Sequence, residues 1–244
     1  MKLITINIEK SKHLERIIPF LQREKPDVLC VQEIIQADVP FIQEALDIDG
    51  QMLPTTYHLQ KGETEANPSQ VEGVALFTNL RRTPIRGYYY SGDGTINTHL
   101  QGSNSKVVIH TQISDEFGTY NVATTKFKWT PDGKPSITQE RHFKKLTQYL
   151  TGLTRYLPGH EDIILCGDFN VPRGGPMFKK FAELYKDNLP SDITSTLDPQ
   201  LHSAAPLELV VDTIFTTPGY IVSNVRVVEG LSDHKAVIAK IIKN

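Results

Sequence analysis

The run Asp162-Ile163-Ile164-Leu165-Cys166-Gly167-Asp168-Phe169-Asn170-Val171-Pro172 is apolar until it ends in an acid, an amide and a turn. Asp168 and Asn170 stand two positions apart, so on a strand they share one face while Phe169 turns to the other. A carboxylate and a carboxamide converging on one point suit a hard cation and the oxygen atoms it polarises. A strand end followed by an Asx-type turn would use the same two residues without chemistry. The spacing recurs at Asn7 and Glu9, and the run Asp27-Val28-Leu29-Cys30-Val31-Gln32-Glu33 also closes on a carboxylate. Asp212 interrupts Val210-Val211-Asp212-Thr213-Ile214-Phe215, where an acid is costly unless partnered. The obvious partner is a histidine, and one follows in Leu231-Ser232-Asp233-His234. Lys126 ends the run that begins at Val122, a cation placed as the acids are.

These residues need elements to hold them. The Asp168 run is short and flanked by Pro158-Gly159 and Pro172, which predicts a buried strand rather than a helix. Lys2 to Ile8 alternates as a strand, with Leu3, Thr5 and Asn7 on one face and Ile4, Ile6 and Ile8 on the other. Ser11 is placed as a helix N-cap, and Leu14, Ile17, Ile18 and Leu21 follow at helical spacing until Pro26. Strand, helix, strand, acid is the α/β pattern in which ligands gather at the carboxyl ends of strands. A short helix over Val39 to Asp47 precedes a polar loop from Gln51 to Gln70, marked by Gly62, Asn67 and Pro68. Gly73 to Thr78, Ile85 to Tyr90, Lys106 to Ile113 and Thr119 to Phe127 read as successive antiparallel strands. Ser136 or Thr138 can cap a helix carrying His142, Leu146, Tyr149, Leu150 and Leu153, with His142 a packing or surface residue. A helix from Met177 to Tyr185, a loop-rich stretch from Ser191 to Leu207 carrying Asp198 and His202, and a last strand from Ala236 to Ile242 complete the pattern.

A chain of 244 residues with 39% hydrophobic content can bury a large core, and one domain over residues 1–244 is the expectation. No apolar run approaches the ~18 residues a membrane helix needs, and Met1-Lys2 leads directly into a strand-like segment, so a soluble, cytoplasmic protein is expected. Cys30 and Cys166 sit in apolar runs as small hydrophobes, in keeping with a reducing compartment. A formal net charge of -2 gives no global basic footprint, which argues against a dedicated nucleic-acid binder. Arg81, Arg82 and Arg86 beside Tyr88, Tyr89 and Tyr90 are a local exception. They could stack bases and hold phosphates, or they could protect a sheet edge with charge.

Taken in order, Asn7, Val31-Gln32-Glu33, Gly167-Asp168-Phe169-Asn170, Val211-Asp212 and Ser232-Asp233-His234 resemble the motifs of the endonuclease/exonuclease/phosphatase superfamily, and they span nearly the whole chain. The resemblance implies a four-layered α/β/β/α sandwich, two packed mixed sheets flanked by helices, with a metal site at one end. It implies that Glu33 binds Mg²⁺ or Mn²⁺, with Asn7 and Glu9 close by and Asp233 completing the site. Asp168 would orient or deprotonate water, Asn170 would hold a phosphoryl oxygen, and His234, oriented by Asp212, would contact the phosphate. The expected activity is hydrolysis of a phosphodiester, in DNA or RNA, by an endo- or exonuclease. A lipid or small-molecule phosphoesterase is the alternative, for which Lys126, Lys128 and Arg173 could form a cationic pocket. A further alternative is a silenced binding protein of the same fold. Its motive is Lys126, which departs from the histidine or tyrosine that such families place near the leaving group and donates a proton poorly.

Overall fold

The computed structural model describes residues 1–58, 70–95, 105–131, 133–156, 162–204 and 207–244. The chain opens with β1 (Lys2–Asn7), α1 (Leu14–Glu24), β2 (Val28–Ile35), α2 (Val39–Leu46), β3 (Gly50–His58) and β4 (Gln70–Phe77). It continues through β5 (Arg81–Arg82), β6 (Arg86–Ser91), β7 (Lys106–Asp115), β8 (Gly118–Lys126), α3 (Ile137–Tyr156) and β9 (Ile164–Asp168). It ends with α4 (Pro176–Ala182), β10 (Lys186–Asp187), β11 (Asp212–Thr216), β12 (Tyr220–Val228) and β13 (Ala236–Lys243).

One sheet runs β12-β13-β1-β2-β4-β3 and the other β10-β11-β9-β8-β7-β5, with β6 also paired to β7. Each sheet is mixed, because β1 with β2 and β8 with β9 are parallel while their neighbours are antiparallel. Strand alternation sorts the apolar side chains into layers. Leu3, Val28, Cys30, Val122, Ile164 and Cys166 meet between the sheets. Ile4, Ile6, Leu29 and Val31 pack with Ile17 and Leu21 of α1 and Ile42 of α2, whereas Ala123, Leu165 and Phe215 pack with Leu146 of α3 and Phe181 of α4. The result is the expected four-layered sandwich. Burying each such aliphatic chain contributes roughly 1.5–3 kcal/mol, so both helical layers are needed to cover the outer sheet faces.

Three local expectations change and one is settled between its alternatives. Ser11 does not cap α1, which starts at Leu14 after Glu9 and Lys10 turn through the left-handed region; Ser11 Oγ donates to Asp38 instead. Ser136 does cap α3, accepting from the Gln139 amide at 3.1 Å while Gln139 Oε1 accepts from the Ser136 amide at 3.2 Å. Gln51 to His58 is an edge strand, not a polar loop; Gly62, Asn67 and Pro68 lie outside the described residues. The strand expected to end at Glu33 continues to Ile35. Cys30 and Cys166 are buried free thiols. Among the described residues no helix is long and apolar enough to cross a membrane.

Candidate active site

Sheet register lines up the first half of the site. Lys126 on β8 stands opposite Asp168 on β9, and Asp168 stands opposite Asp212 on β11, so three charged residues lie in a row across one sheet. Gly167 makes the close approach of β9 to β8 possible, since it has φ +132° and a Cβ there would lie 2.1 Å from the Thr125 carbonyl oxygen. From the other sheet, buried Asn7 donates to Glu33 Oε1 at 2.9 Å and to Asp168 Oδ2 at 3.1 Å, which ties the two sheets together at the site. Beneath it Gln32 donates to Thr124 at 3.1 Å and Thr5 at 3.2 Å.

Glu33 is aimed by a bulge. Its φ is +56°, and the pairing of β2 with β4 shifts register between Gln32 and Ile34. A bulge breaks the alternation and re-aims one side chain, and a non-glycine residue in the left-handed region at such a point marks stored strain. Asn170 is the same kind of exception, at φ +54° beyond the end of β9. Asp168 and Asn170 therefore meet through a turn rather than through strand alternation. The Asn170 amide donates to Asp168 Oδ1 and its side chain to Asp168 Oδ2, both at 2.9 Å. The Asx-type turn and the pairing of the two groups coexist.

The interior acid found its histidine: His234 Nδ1 lies 2.9 Å from Asp212 Oδ2, and both are buried. The loop-rich stretch holds that pair in place. Thr196 Oγ1 accepts from the Asp212 amide at 3.1 Å, the Thr196 carbonyl accepts from Lys235 at 2.7 Å, and the Asp233 carbonyl accepts from Asp198 at 2.8 Å. Asp198 itself anchors Gly230 at 2.7 Å and serves the turn, while His202 stands with its ring centroid 6.2 Å from that of His234. Burial disfavours the His234 cation, but Asp212 and Asp168 outweigh it and push the imidazole up to about 10. Burial, with Asp212 and Glu33, pushes Asp168 up to about 6 against the pull of His234 and Lys126. Burial, then Glu9 and Glu33, raises Asp233 as well.

Lys126 reaches across to the first sheet, with Nζ 2.6 Å from Glu33 Oε1 and 3.4 Å from Glu72 Oε1. Burial opposes both charges, yet Lys126 with Asn7 and Lys10 holds Glu33 down to about 2, and the carboxylates keep Lys126 above its usual range. Glu72 is a member that sequence reasoning missed. It is buried on β4 with His58 Nε2 at 2.7 Å, and the interior-acid argument that found Asp212 would have found it had the strand been extended back past Gly73.

Other expected residues point elsewhere. Glu9 is engaged by Lys12 and by His13 at 3.1 Å. Arg173 donates to the carbonyls of Leu189 and Pro190 and pairs with Asp187 at 2.7 Å, so it supplies no cation to the cavity. Tyr88 stacks on Tyr149 at 4.1 Å, Tyr89 donates to Pro54, and Tyr90 is buried with its hydroxyl 2.9 Å from Thr125. Arg82 pairs with Asp49 at 2.5 Å. The tyrosines are packing residues, and the strip is a charged sheet edge rather than a base-stacking platform.

Glu33, Lys126, Asp168, Asn170, Asp233 and His234 line one cavity of about 1000 Å³, together with Lys128, exposed Trp129 and His202. The donor set fits a hard divalent cation: Glu33, held by the Asn7 amide, and Asp233 offer carboxylate oxygens to one cavity, and a divalent charge offsets both the burial and the neighbouring carboxylates that raise Asp233. Glu9 fits less well, because its carboxylate is engaged by Lys12 and His13 and it does not line the cavity, whereas Glu33, although paired with Lys126 and Lys10, does. Among the described residues Asp168, Asp212 and His234 form one tight donor cluster, and His202, Asp233 and His234 another.

The model of the Endonuclease/Exonuclease/phosphatase family matches residues 4–234. No curated protein matches the chain by sequence. Among solved structures, an endonuclease/exonuclease/phosphatase from Bacteroides vulgatus is 15% identical with a TM-score of 0.74, covering 100% of this chain and 98% of its own. The catalytic domain of human Nocturnin with bound sulfate is 16% identical with a TM-score of 0.72, over 100% and 93% of the two chains. A mannosyl-6-phosphatase of Bacteroides thetaiotaomicron is 14% identical with a TM-score of 0.69, over 99% of each.

Proposed function

The chain belongs to the endonuclease/exonuclease/phosphatase family, and we propose that it is a divalent-metal-dependent phosphodiesterase that hydrolyses its ester by direct attack of water. The observation that carries this reading is the row of Lys126, Asp168 and Asp212, closed by Asn7 and Asn170 on one side and His234 on the other. Asp168 is buried, ionised above about pH 6 and held by two amides, which suits a base for water. His234 keeps its proton through neutral pH, and because Asp212 occupies Nδ1, Nε2 is left to face a phosphoryl oxygen. Asn170 can donate to a second oxygen. Glu33 and Asp233, with the Asn7 amide oxygen, would hold Mg²⁺ or Mn²⁺, which when bound neutralises phosphoryl charge. Lys126, kept charged by its two carboxylates, stands as a fixed positive charge for the leaving oxygen rather than as a proton donor.

DNA or RNA remains the substrate in this reading, on the family's account and no longer on that of the tyrosines. A small or lipid-like phosphoester is the second reading, favoured by the loss of the β6 stacking platform. A silenced binding protein is the third, motivated by the ion pair of Lys126 with Glu33. The whole chain, 1–244, acts as one domain here, and a reducing cytoplasmic setting suits its two buried thiols. Hydrolysis of bis-p-nitrophenyl phosphate with Mg²⁺ and Mn²⁺, abolished by EDTA, is the expected result. Inactivity on mono- and diesters with every metal tried would overturn the proposal. DNA, RNA, sphingomyelin and inositol phosphates assayed at two salt concentrations separate the substrate readings, since a nucleic-acid enzyme loses affinity steeply with salt.

A further inference from the structure

The cavity has a second wall with the opposite charge. Lys106 at the start of β7, Lys128 just past β8 and Arg141 in the first turns of α3 line it, all three near enough to His142 to press its imidazole down. On the acidic wall the cations are paired, Lys126 to Glu33 and Glu72 and Lys10 to Glu33. Among the described residues no carboxylate lies within salt-bridge distance of Lys106, Lys128 or Arg141. Lys106 is largely enclosed. Burial, then Lys126, push its ammonium down to about 8, against the pull of Asp168 and Glu72 and with Lys128 adding to the push. His142 is 4% exposed on the same wall, and its Nδ1 is buried without a partner. Like charges gathered at one side of a cavity with no carboxylate in ion-pair reach repel one another, and an anion bound among them relieves that repulsion.

We propose that Lys106, Lys128 and Arg141 form a second anion subsite, which takes a second phosphoryl group of the substrate while Asn170 and His234 hold the first. The inference rests on the preceding reading of the acidic wall and adds the substrate class: esters whose scissile phosphorus has a phosphoryl neighbour. A guanidinium and two ammonium groups match a dianion with three equivalent oxygens better than a single carboxylate. Trp129, 60% exposed and next to Lys128, offers an apolar face to whatever organic group joins the two phosphates. The neighbour can be the next phosphate of a polynucleotide or the distal phosphate of a small bisphosphate.

Calorimetric titration of the full chain without divalent metal tests this, with methylenebisphosphonate compared against methylphosphonate. The expected result is binding of the bisphosphonate tighter by ~10-fold or more, a preference that Arg141→Gln and Lys128→Gln each erode about 5–10-fold. Lys106→Met should erode it further. Arg141 is exposed, so its variant reports even if Lys106→Met fails to fold, which a melting curve detects. Equal affinity for the two phosphonates, or a preference that survives Arg141→Gln, would overturn the subsite. Titration of thymidine 3′,5′-bisphosphate and of a short oligothymidylate at two salt concentrations separates the two sources: steep salt dependence with the oligomer favoured marks the polynucleotide. Bisphosphonate preference without hydrolysis of any ester would sink the proposed function and leave the subsite. Ester hydrolysis without that preference would sink the subsite alone.

Discussion

Two of the three histidines that line the cavity are driven in opposite directions. His234 is buried against Asp212 and Asp168 and is pushed up to about 10, whereas His142 is buried among Lys128, Arg141, Lys106 and Lys145 and is pushed down to about 4. Burial alone depresses both. What separates them is the sign of the charge on the wall behind each ring, so one carries a proton at neutral pH and the other does not. The cavity is therefore polarised, with a protonated imidazole embedded in its acidic side and a neutral one in its basic side.

The largest effect expected on this contrast comes from removing the charged member or its neighbour. His234→Ala or Asp168→Ala should lower kcat/KM by ~10²–10⁴-fold, as loss of a positioned base or charge stabiliser does, while His142→Ala should cost ~10-fold or less, measured on bis-p-nitrophenyl phosphate. Next in size, Asp212→Asn should bring the imidazole of His234 down from about 10 toward the ordinary value of 6.5, read by NMR titration of its ring protons. A ring that still titrates near 10 would mean that Asp212 is not what holds it up. Activity should follow a bell in kcat/KM with an acid limb near pH 6 from Asp168 and an alkaline limb near 10 from His234; Asp212→Asn should move the alkaline limb down. Lys126→His tests the third reading, since restored hydrolysis in an inert wild type would identify a silenced enzyme.

The smallest expected effect is on stability, and its sign differs for the two rings. His234 has its folded value above 6.5, so the folded state holds the extra proton and its contribution is lost as pH rises from about 6.5 through about 10. His142 has its folded value below 6.5, so the unfolded state takes the proton first and stability is lost as pH falls from about 6.5 to about 4. The melting temperature of His142→Leu relative to wild type should therefore rise on going from pH 7 to pH 4. A difference that does not change with pH would show that His142 is not held neutral.

The sequence carried the parts of this contrast that depend on local pattern. Interior Asp212 demanded a histidine and His234 is its partner, and the strand ends at Asn7, Asp168 and Lys126 follow from alternation and turn residues. Glu33 was named, but not the bulge that aims it, because the register shift belongs to the pairing of β2 with β4 and leaves no mark on either strand alone. Tyr88, Tyr89 and Tyr90 looked like an exposed strip, yet α3 covers Tyr88 through Tyr149 and Tyr90 through His142. Arg173 looked free and is consumed by carbonyls of a loop that only folding brings near. The basic wall was invisible for the same reason: Lys106 and Arg141 are far apart in the chain and meet only when β7 and α3 are both in place.

The order of strands in the first sheet has a bearing on synthesis. β1 lies between β2 and β13, and it pairs with β13 from Lys2 opposite Lys240 to Thr5 opposite Val237. A ribosome thus delivers Asn7 long before Asp233 and His234, which stand on the turn leading into the strand that covers one edge of β1. At about 5–20 residues per second, that edge waits uncapped for roughly ten to fifty seconds. During that interval it is a template for any extended segment nearby. Emergence of β13 would close the edge and bring the histidine to its aspartate in one event, so a growing chain carries no assembled centre until that edge of the sheet is covered.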